Sequence, residues 1–215
     1  RVGKYFLNYM NDALNMYEKH NKVSSISGYV YPINTNQEKN ETFFIRGADC
    51  WGWGTWRRAW STFEKDGEVL INKILKKKLS HDFNFSGSID LVQMLQDQID
   101  KKNDSWAVRW IASNYLQNKL ILYPNKSLVQ NIGNEGSGTH NLKTNRYNVN
   151  LFNDKFKFKK IKIKENKKMR QKIEKFFYSF SRYYYIYPVL KFLKKYKNLK
   201  IKKLLLLAVA FMVAL

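Results

Sequence analysis

Four of the six tryptophans in this chain stand within ten residues, in the stretch CWGWGTWRRAW that occupies 50–60. An indole ring offers a large flat apolar face, which can stack on the apolar face of a sugar ring. Arg57 and Arg58 add two guanidinium groups beside these rings, and a guanidinium fork matches the oxygens of a phosphate or a carboxylate. The stretch therefore combines side chains suited to sugars with side chains suited to anions.

The spacing of the indoles predicts the element that carries them. Trp53, Trp56 and Trp60 recur at i, i+3 and i+7, which predicts a helix over about 53–64 with the three rings on one face. Two glycines stand at its start, where the backbone can adopt positive φ or approach a ligand closely. We therefore expect a glycine turn that leads into an aromatic, cationic helix.

Three segments of the chain resemble the acceptor-side half of bacterial family 2 glycosyltransferases of the GT-A fold. The first is FFIRGADC at 43–50 together with the tryptophan stretch, the second is NDSWAVRW at 103–110, and the third is YPNKSLVQNIG at 123–133, which runs on to GSGTH at 136–140. They follow the order of the family and cover roughly 23–140. The resemblance implies an α/β fold, namely a partial, Rossmann-like GT-A domain with a mixed sheet and flanking helices. It also implies inverting transfer of a sugar from a nucleotide-sugar donor.

The resemblance implies a carboxylate that removes the proton from the acceptor hydroxyl. Asp104 is the first candidate, because it precedes Trp106 at a predicted helix start, near the level at which such enzymes present this residue. A purely structural role as the cap of that helix is the alternative. Asp49 is the rival base, since it lies between the second predicted strand and the tryptophan turn. The Glu-Asp pair that the family shows after this turn is replaced by Thr55 and Trp56. Asp104 and Asp49 therefore both remain candidates for the base.

The acceptor would be held by the tryptophan stretch. Trp51, Trp53 and Trp56 are the candidates for the stacking platform. Arg57 and Arg58 are adjacent in sequence, so a helix would point them to different sides. We expect at most one of these two arginines to face the acceptor.

Donor binding is expected at the glycine-rich end of the third segment. The resemblance implies that His140 reaches the donor diphosphate or a divalent metal ion, Mn²⁺ or Mg²⁺, and that Ser137 and Thr139 contact phosphate oxygens. Arg46 is a further candidate cation for the diphosphate. Because three glycines fall between 131 and 140, this segment is predicted to be a mobile loop.

The donor-binding half of such a fold ends in an Asp-x-Asp metal motif, and residues 1–30 contain no such motif. Residue 1 is Arg rather than Met. We therefore expect this chain to be the acceptor-side portion of a longer or split enzyme, and to bind no nucleotide sugar tightly by itself.

Periodicity and turn residues predict the remaining elements. Helices are expected at 4–19, 68–78, 89–101 and 105–117, and strands at 23–31, 42–45, 120–123 and 146–152. Ser88 is the expected N-cap of the helix at 89–101, and Asp104 or Ser105 that of the next helix. Residues 80–88 are predicted to form a loop, and 155–164 an extended segment.

Composition divides the chain at about residue 152. Residues 154–203 contain 19 Lys and Arg against three acidic residues, so they carry +16 of the total net charge of +22. Residues 204–215 are apolar without interruption, which is shorter than the ~20 residues of a bilayer span. We predict an acceptor-side domain over 1–152 and a basic, aromatic, helical tail over 153–215.

Two kinds of partner fit the tail. Lysines beside aromatic and apolar residues would bind an anionic membrane surface through 155–215, which would place the protein in the cytoplasm at the inner face of the plasma membrane. The same lysines would bind nucleic acid, but the apolar end has no use there, so we favour the membrane. The single Cys50 excludes an internal disulfide and fits a reducing compartment.

These observations predict a glycosyltransferase fragment that transfers a sugar from a nucleotide-sugar donor to a carbohydrate or lipid-linked acceptor in bacterial surface-polysaccharide synthesis. Two alternatives remain open. One is a non-catalytic remnant or carbohydrate-binding module that keeps the tryptophan platform. The other is a protein whose basic tail binds nucleic acid or membrane.

Overall fold

A mixed four-stranded sheet forms the centre of the computed structural model, which describes residues 1–36, 40–135 and 144–179. The strands are β1 (Val23–Ser27), β2 (Thr42–Arg46), β3 (Trp53–Thr55) and β4 (Leu120–Pro124). The helices are α1 (Phe6–Tyr17), α2 (Arg57–Trp60), α3 (Gly67–Lys76), α4 (Ser80–Phe83), α5 (Leu91–Ile99) and α6 (Trp106–Leu116). A 3-10 helix follows at Ile132–Glu135, and a further helix, α7, runs from 167 through 179, the last described residue.

The strands lie in the order β2-β4-β1-β3. β1 and β4 pair in parallel, with Ile26 opposite Leu122, whereas β2 and β3 are antiparallel to the strands beside them. A parallel pair needs a long crossover, and the chain from 28 to 119 makes it. Because β1 and β4 run in the same direction, the segments that follow them leave the sheet at the same edge.

Helices cover both faces of the sheet, and alternate side chains of β2 and β4 point into two different cores. One core joins Tyr9, Ala13 and Tyr17 of α1 to Phe44 and Leu122. The opposite core joins Phe43, Ile45 and Tyr123 to Met169, Ile173 and Phe177 of α7. The first helix of the basic tail is therefore part of the sheet packing.

A third core lies between the helices of the crossover. It contains Leu70 and Ile74 of α3, Leu91 and Leu95 of α5, and Val108 and Ala112 of α6. Side-chain caps fix where these helices begin. Asp66 accepts from backbone N–H groups at the start of α3, Asp90 does so at α5, and the Ser105 hydroxyl accepts from Val108 N at α6. The cap at α6 places Trp106 at the first position of that helix.

Arg170 ties α7 to the rest of the fold. Its side chain is 9% exposed, and its guanidinium donates to Asp82 of α4 at 2.8 Å and to Glu165 and Glu174. Arg46, at the end of β2, donates to the same Asp82 carboxylate at 3.3 Å. Two guanidinium groups and three carboxylates thus form one ionic network between the sheet, α4 and α7.

The structure confirms the predicted α/β class and most of the predicted elements. The helices α1, α3, α5 and α6 and the strands β2 and β4 lie within a few residues of their predicted bounds, and β1 ends at Ser27 rather than at 31. The cap of α6 is Ser105, one of the two predicted residues.

The helix predicted over 53–64 is wrong. Residues 53–55 form β3, which pairs with β1, and only Arg57–Trp60 is helical. Pairing with a distant strand overrides the local helical spacing, so Trp53, Trp56 and Trp60 do not share one helix face.

Three further predictions, a loop, a helix cap and a strand, are wrong. The loop predicted at 80–88 contains α4, and Asp90 rather than Ser88 caps α5, because the Ser88 hydroxyl donates to Phe85 O at 2.7 Å. The strand predicted at 146–152 does not form. Its backbone is held differently, since Val149 N donates to Gln130 Oε1 at 2.7 Å and Phe152 N donates to Ser127 O at 2.9 Å.

No helix within the described parts of the chain is long and apolar enough to span a lipid bilayer. The predicted continuation of the tail, 180–203, and its apolar end, 204–215, lie outside the described residues.

Gly52 is the glycine on which the turn before β3 depends. Its φ is +53°, and a Cβ built there would overlap the side chain of Val129. We expect Gly52→Ala to lower the free energy of unfolding by about 2 kcal/mol, because left-handed strain and overpacking add. Urea denaturation followed by circular dichroism measures this. Gly54→Ala is the matched control, since Gly54 has no positive φ and the nearest atom is the flexible end of Met10. An equal loss of unfolding free energy in Gly52→Ala and Gly54→Ala would contradict the special role of Gly52 in this turn.

Candidate functional site

Five aromatic side chains, Trp53, Trp60, Phe63, Trp106 and Trp110, meet at one place and are here called the indole cluster. The ring centroids of Trp53 and Trp106 are 5.6 Å apart, those of Trp60 and Trp110 5.1 Å, and those of Trp60 and Phe63 4.9 Å. The cluster therefore joins β3, the end of α2 and the first turns of α6.

The indole cluster has a buried base and an exposed surface. Trp110 is fully buried, whereas Trp60 is 42% exposed and Trp106 is 39% exposed. Trp106 and Trp110 share a face of α6 because they are four residues apart. Large indoles held this way lose little conformational freedom when they bind a ligand, since each has only two side-chain torsions. The cluster is thus a preformed apolar platform that faces solvent.

Asp104 stands beside this platform in the chain, two residues before Trp106. It is exposed, and it makes no hydrogen bond or ion pair within the described part of the chain. Ser105, not Asp104, caps α6, and Asn103 Oδ1 accepts from Ser105 N at 3.0 Å. The carboxylate of Asp104 is therefore not used by the helix start, and it is available to a ligand.

The structure separates the other two predicted platform residues from the cluster. Trp51 packs edge-on against Tyr29 and Tyr147, with centroids 4.8 and 5.4 Å away. Trp56 packs on the α1 side of the sheet, and its Nε1 donates to Leu14 O at 3.3 Å. Of the three predicted platform residues, only Trp53 belongs to the indole cluster.

The three predicted cations, Arg46, Arg57 and Arg58, differ in how many hydrogen bonds their guanidinium groups make with the rest of the protein. The Arg58 guanidinium donates to the backbone carbonyls of Tyr17, Glu18 and Val23, where it closes the end of α1. Burial lowers the pKa of this group, and the charge of Glu18 acts in the opposite direction. Arg57 is exposed, with no hydrogen bond or ion pair in the residues described. Of the two arginines, Arg57 is therefore the one whose guanidinium is available to a ligand, and whether it faces the acceptor stays a prediction.

Arg46 is held by the fold. Its guanidinium lies over the ring of Tyr115, 3.8 Å from the centroid, and donates to Tyr115 O and to Asp82. A diphosphate would compete with the Asp82 carboxylate for this group, so Arg46 has a structural role in the described arrangement.

Asp49 lies in the interior, with 7% of its surface exposed. Its Oδ2 accepts from the hydroxyls of Tyr31 at 3.1 Å and Tyr123 at 2.9 Å, and its Oδ1 accepts from Cys50 N at 2.6 Å. Burial raises the pKa of the Asp49 carboxyl, and these hydrogen bonds lower it in part. Burial, with the Asp49 charge beside it, also raises the pKa of the Cys50 thiol to about 12, so this thiol is protonated at neutral pH.

The buried Asp49 carboxyl has a consequence for stability. With its folded-state pKa raised above the ordinary value of 3.8, the folded state binds the proton more tightly than the unfolded state, so stability falls as pH rises from that value through the folded-state pKa. We expect Asp49→Asn to remove this part of the pH dependence. Urea unfolding of both proteins between about pH 4 and pH 8 would show it as a shallower decline in the variant. Parallel declines would contradict the expectation.

The predicted donor residues His140, Ser137 and Thr139 lie outside the described residues. Within 1–36, 40–135 and 144–179, no group of three or more His, Cys, Asp or Glu side chains could hold a metal ion. The Mn²⁺ or Mg²⁺ and the diphosphate contacts therefore stay predictions, and no chemical step is assigned to the metal.

Sequence reasoning missed part of the platform. Trp60, Trp106 and Trp110 were outside the predicted acceptor site, although the spacing of Trp106 and Trp110 on one helix face was a signal. Trp60 and Trp106 meet only because α2 and α6 pack together, and nothing local in the sequence indicates that contact.

Scans against protein-family models, curated protein sequences and solved structures return no significant match to this chain. The family resemblance of the three segments therefore remains a prediction.

Proposed function

We propose that this chain is the acceptor-side portion of a nucleotide-sugar-dependent glycosyltransferase of the GT-A type, and that the indole cluster binds the acceptor saccharide. One observation supports the proposal most: two exposed indoles stand on a buried aromatic base, and Asp104, two residues before Trp106 in the chain, has an exposed carboxylate with no hydrogen bond or ion pair among the described residues. A sugar needs an apolar stacking face and a polar group for its hydroxyls, and this arrangement supplies both.

In the proposed reaction, Asp104 is the general base. The acceptor saccharide stacks on Trp60 and Trp106, and one of its hydroxyls lies against the Asp104 carboxylate. The hydroxyl oxygen forms a bond to the anomeric carbon of the donor sugar while the bond from that carbon to the diphosphate breaks. The proton of the hydroxyl passes to Asp104, and the diphosphate leaves with the electron pair, so the anomeric configuration is inverted.

The proposed setting is the surface-polysaccharide assembly of a bacterium, with the acceptor a carbohydrate or a lipid-linked saccharide. The net charge of +16 over 154–203 supports a tail that binds an anionic membrane surface at the cytoplasmic side. Flotation with vesicles of anionic and of neutral lipid, at two salt concentrations, tests the tail separately from the indole cluster. Binding to nucleic acid with no vesicle binding would contradict this part of the proposal.

Removing one exposed indole should weaken acceptor binding. We expect Trp60→Ala and Trp106→Ala each to lower the affinity for an acceptor saccharide about tenfold, because each removes a stacking face that is already rigid. Isothermal titration calorimetry with neutral, N-acetylated and uronic trisaccharides measures the effect. Circular dichroism checks that the variants are folded, and Trp60→Tyr, which keeps an aromatic ring, should retain most of the affinity.

Leu7→Ala is the matched control, because Leu7 is an exposed apolar side chain on α1 outside the cluster. It should bind the trisaccharides as the unchanged chain does. Unchanged affinity in both folded tryptophan variants would contradict the proposed acceptor site. Saccharide binding without any sugar transfer, even when a donor-binding half is supplied, would instead indicate a carbohydrate-binding module.

A further inference from the structure

We propose that a groove lined by carboxamide side chains, separate from the indole cluster, is a second saccharide-binding site. The groove has a volume of about 800 Å³, within the range of pockets that hold small-molecule ligands. Five of its fourteen lining residues carry a carboxamide: Asn36, Asn125, Gln130, Asn148 and Asn150. This inference does not depend on the proposed role of the indole cluster.

The groove lies where the fold favours ligand binding. One wall, 30–36, follows β1, and another, 125–130, follows β4. β1 and β4 are parallel, so both walls lie beyond the carboxyl ends of neighbouring parallel strands, the usual position of ligands in open α/β sheets. The third wall, 148–152, comes from the irregular segment after the last strand.

Hydrogen bonds between the walls hold the groove open. The Ser127 hydroxyl accepts from Val30 N at 3.2 Å, which joins the first two walls. Gln130 connects the third wall, because its Nε2 donates to Asn148 Oδ1 at 2.9 Å and its Oε1 accepts from Val149 N at 2.7 Å. The groove is therefore preformed, and a ligand would not need to order it.

Several polar groups along the groove are available to a ligand. Asn36 and Asn150 are exposed, and their side chains make no hydrogen bond within the described part of the chain. Asn125 Oδ1 is buried and accepts no hydrogen bond there either. The ammonium of Lys126 lies 4.5 Å above the ring centroid of Phe152. A carboxamide places a donor next to an acceptor, which suits the paired hydroxyls of a sugar.

The chemistry of the lining favours a saccharide over a nucleotide or a nucleoside. A phosphate group would need more than the single cation, Lys126, that the described lining offers. A nucleobase would need an open aromatic face. Phe152 is covered by Lys126, and Tyr31 is packed against Tyr29 and Phe177. Hydroxyl groups bound by carboxamides remain as the matching ligand chemistry.

The test is a titration of the 215-residue chain, labelled with ¹⁵N, with the same neutral, N-acetylated and uronic trisaccharides. We expect the side-chain amide signals of Asn36 and Asn150 to shift with at least one of them. The double variant Asn36→Ala/Asn150→Ala should bind that saccharide about tenfold more weakly. Because both side chains are exposed and unbonded, the variant should fold normally. Asn72→Ala is the matched control, since Asn72 is an exposed carboxamide on α3.

The outcomes separate this groove from the indole cluster. Loss of affinity in the groove variant, with no change in Asn72→Ala, supports the groove whatever the tryptophan variants do. Unchanged affinity in the groove variant overturns it, even where Trp60→Ala or Trp106→Ala weakens binding. The absence of any saccharide binding up to about 1 mM, or tighter binding of uridine or adenosine at Asn36 and Asn150, also overturns it.

Discussion

Asp104→Asn is expected to lower the rate of sugar transfer by about 10²- to 10⁴-fold, the usual contribution of a general base. The amide has nearly the same shape as the carboxylate but cannot take the proton of the acceptor hydroxyl. Affinity for the acceptor saccharide should stay within about twofold, because the stacking face on Trp60 and Trp106 is unchanged. Because we expect the chain to bind no nucleotide sugar tightly by itself, transfer is measured with a panel of labelled nucleotide sugars in an enzyme that includes the donor-binding half.

Two aspartates serve as comparisons for Asp104. Asp12→Asn changes an exposed carboxylate on α1 that has no partner in the described part of the chain, and it should leave transfer unchanged. Asp49→Asn changes the rival base, which is buried between two tyrosine hydroxyls, and transfer by its folded fraction should also be retained. Two outcomes would show that Asp104 is not the base. One is a transfer rate of Asp104→Asn within a few-fold of that of the unchanged protein, and the other is loss of transfer in Asp49→Asn alone.

Arg170→Ala is expected to lower the free energy of unfolding by about 3 kcal/mol, because it removes the nearly buried guanidinium that three carboxylates share, of which only Asp82 is about half exposed. The Asp82, Glu165 and Glu174 carboxylates would then have to share the region with Arg46 as the remaining cation of the network. Because α7 also covers the apolar face of β2 and β4, the loss should appear as lower global stability in urea denaturation.

Lys175→Ala provides the control for Arg170. Lys175 is an exposed cation on the same helix, and its removal should change stability by less than about 0.5 kcal/mol. Arg170→Lys should lie between the two, since it keeps the charge but not the planar fork. A loss in Arg170→Ala no larger than that in Lys175→Ala would mean that the network does not stabilise the fold.

Local sequence signals predicted the elements whose hydrogen bonds and caps are local. The helices α3, α5 and α6 each begin at an Asp or Ser that accepts from the first turn. Their apolar spacing was visible in sequence, but of the three caps only Ser105 at α6 was among the predicted residues. β4 was predictable because a short apolar run ends at Pro124. The position of β3 was not, because its pairing with β1 depends on residues that are distant in the chain.

The candidate site shows the same contrast between local sequence signals and contacts that depend on distant residues. Asp104 could be selected from sequence, because it precedes a tryptophan at a predicted helix start. The platform could not be assembled, since Trp60 and Trp106 are brought together by the packing of α2 and α6. The predicted roles of Trp51 and Trp56 came from their proximity in sequence to Trp53, but these two residues flank β3 and pack against different neighbours. Spatial adjacency of side chains across elements is the information that a single sequence lacks.

The most direct measurement of the central claim is a titration of the ¹⁵N-labelled chain with acceptor trisaccharides, observed at the indole N–H signals. If the indole cluster is the acceptor platform, the signals of Trp60 and Trp106 shift in a saturable way, whereas that of Trp56, bonded to Leu14 O, stays in place. Saturable binding that leaves the Trp60 and Trp106 signals unchanged would contradict the proposed site.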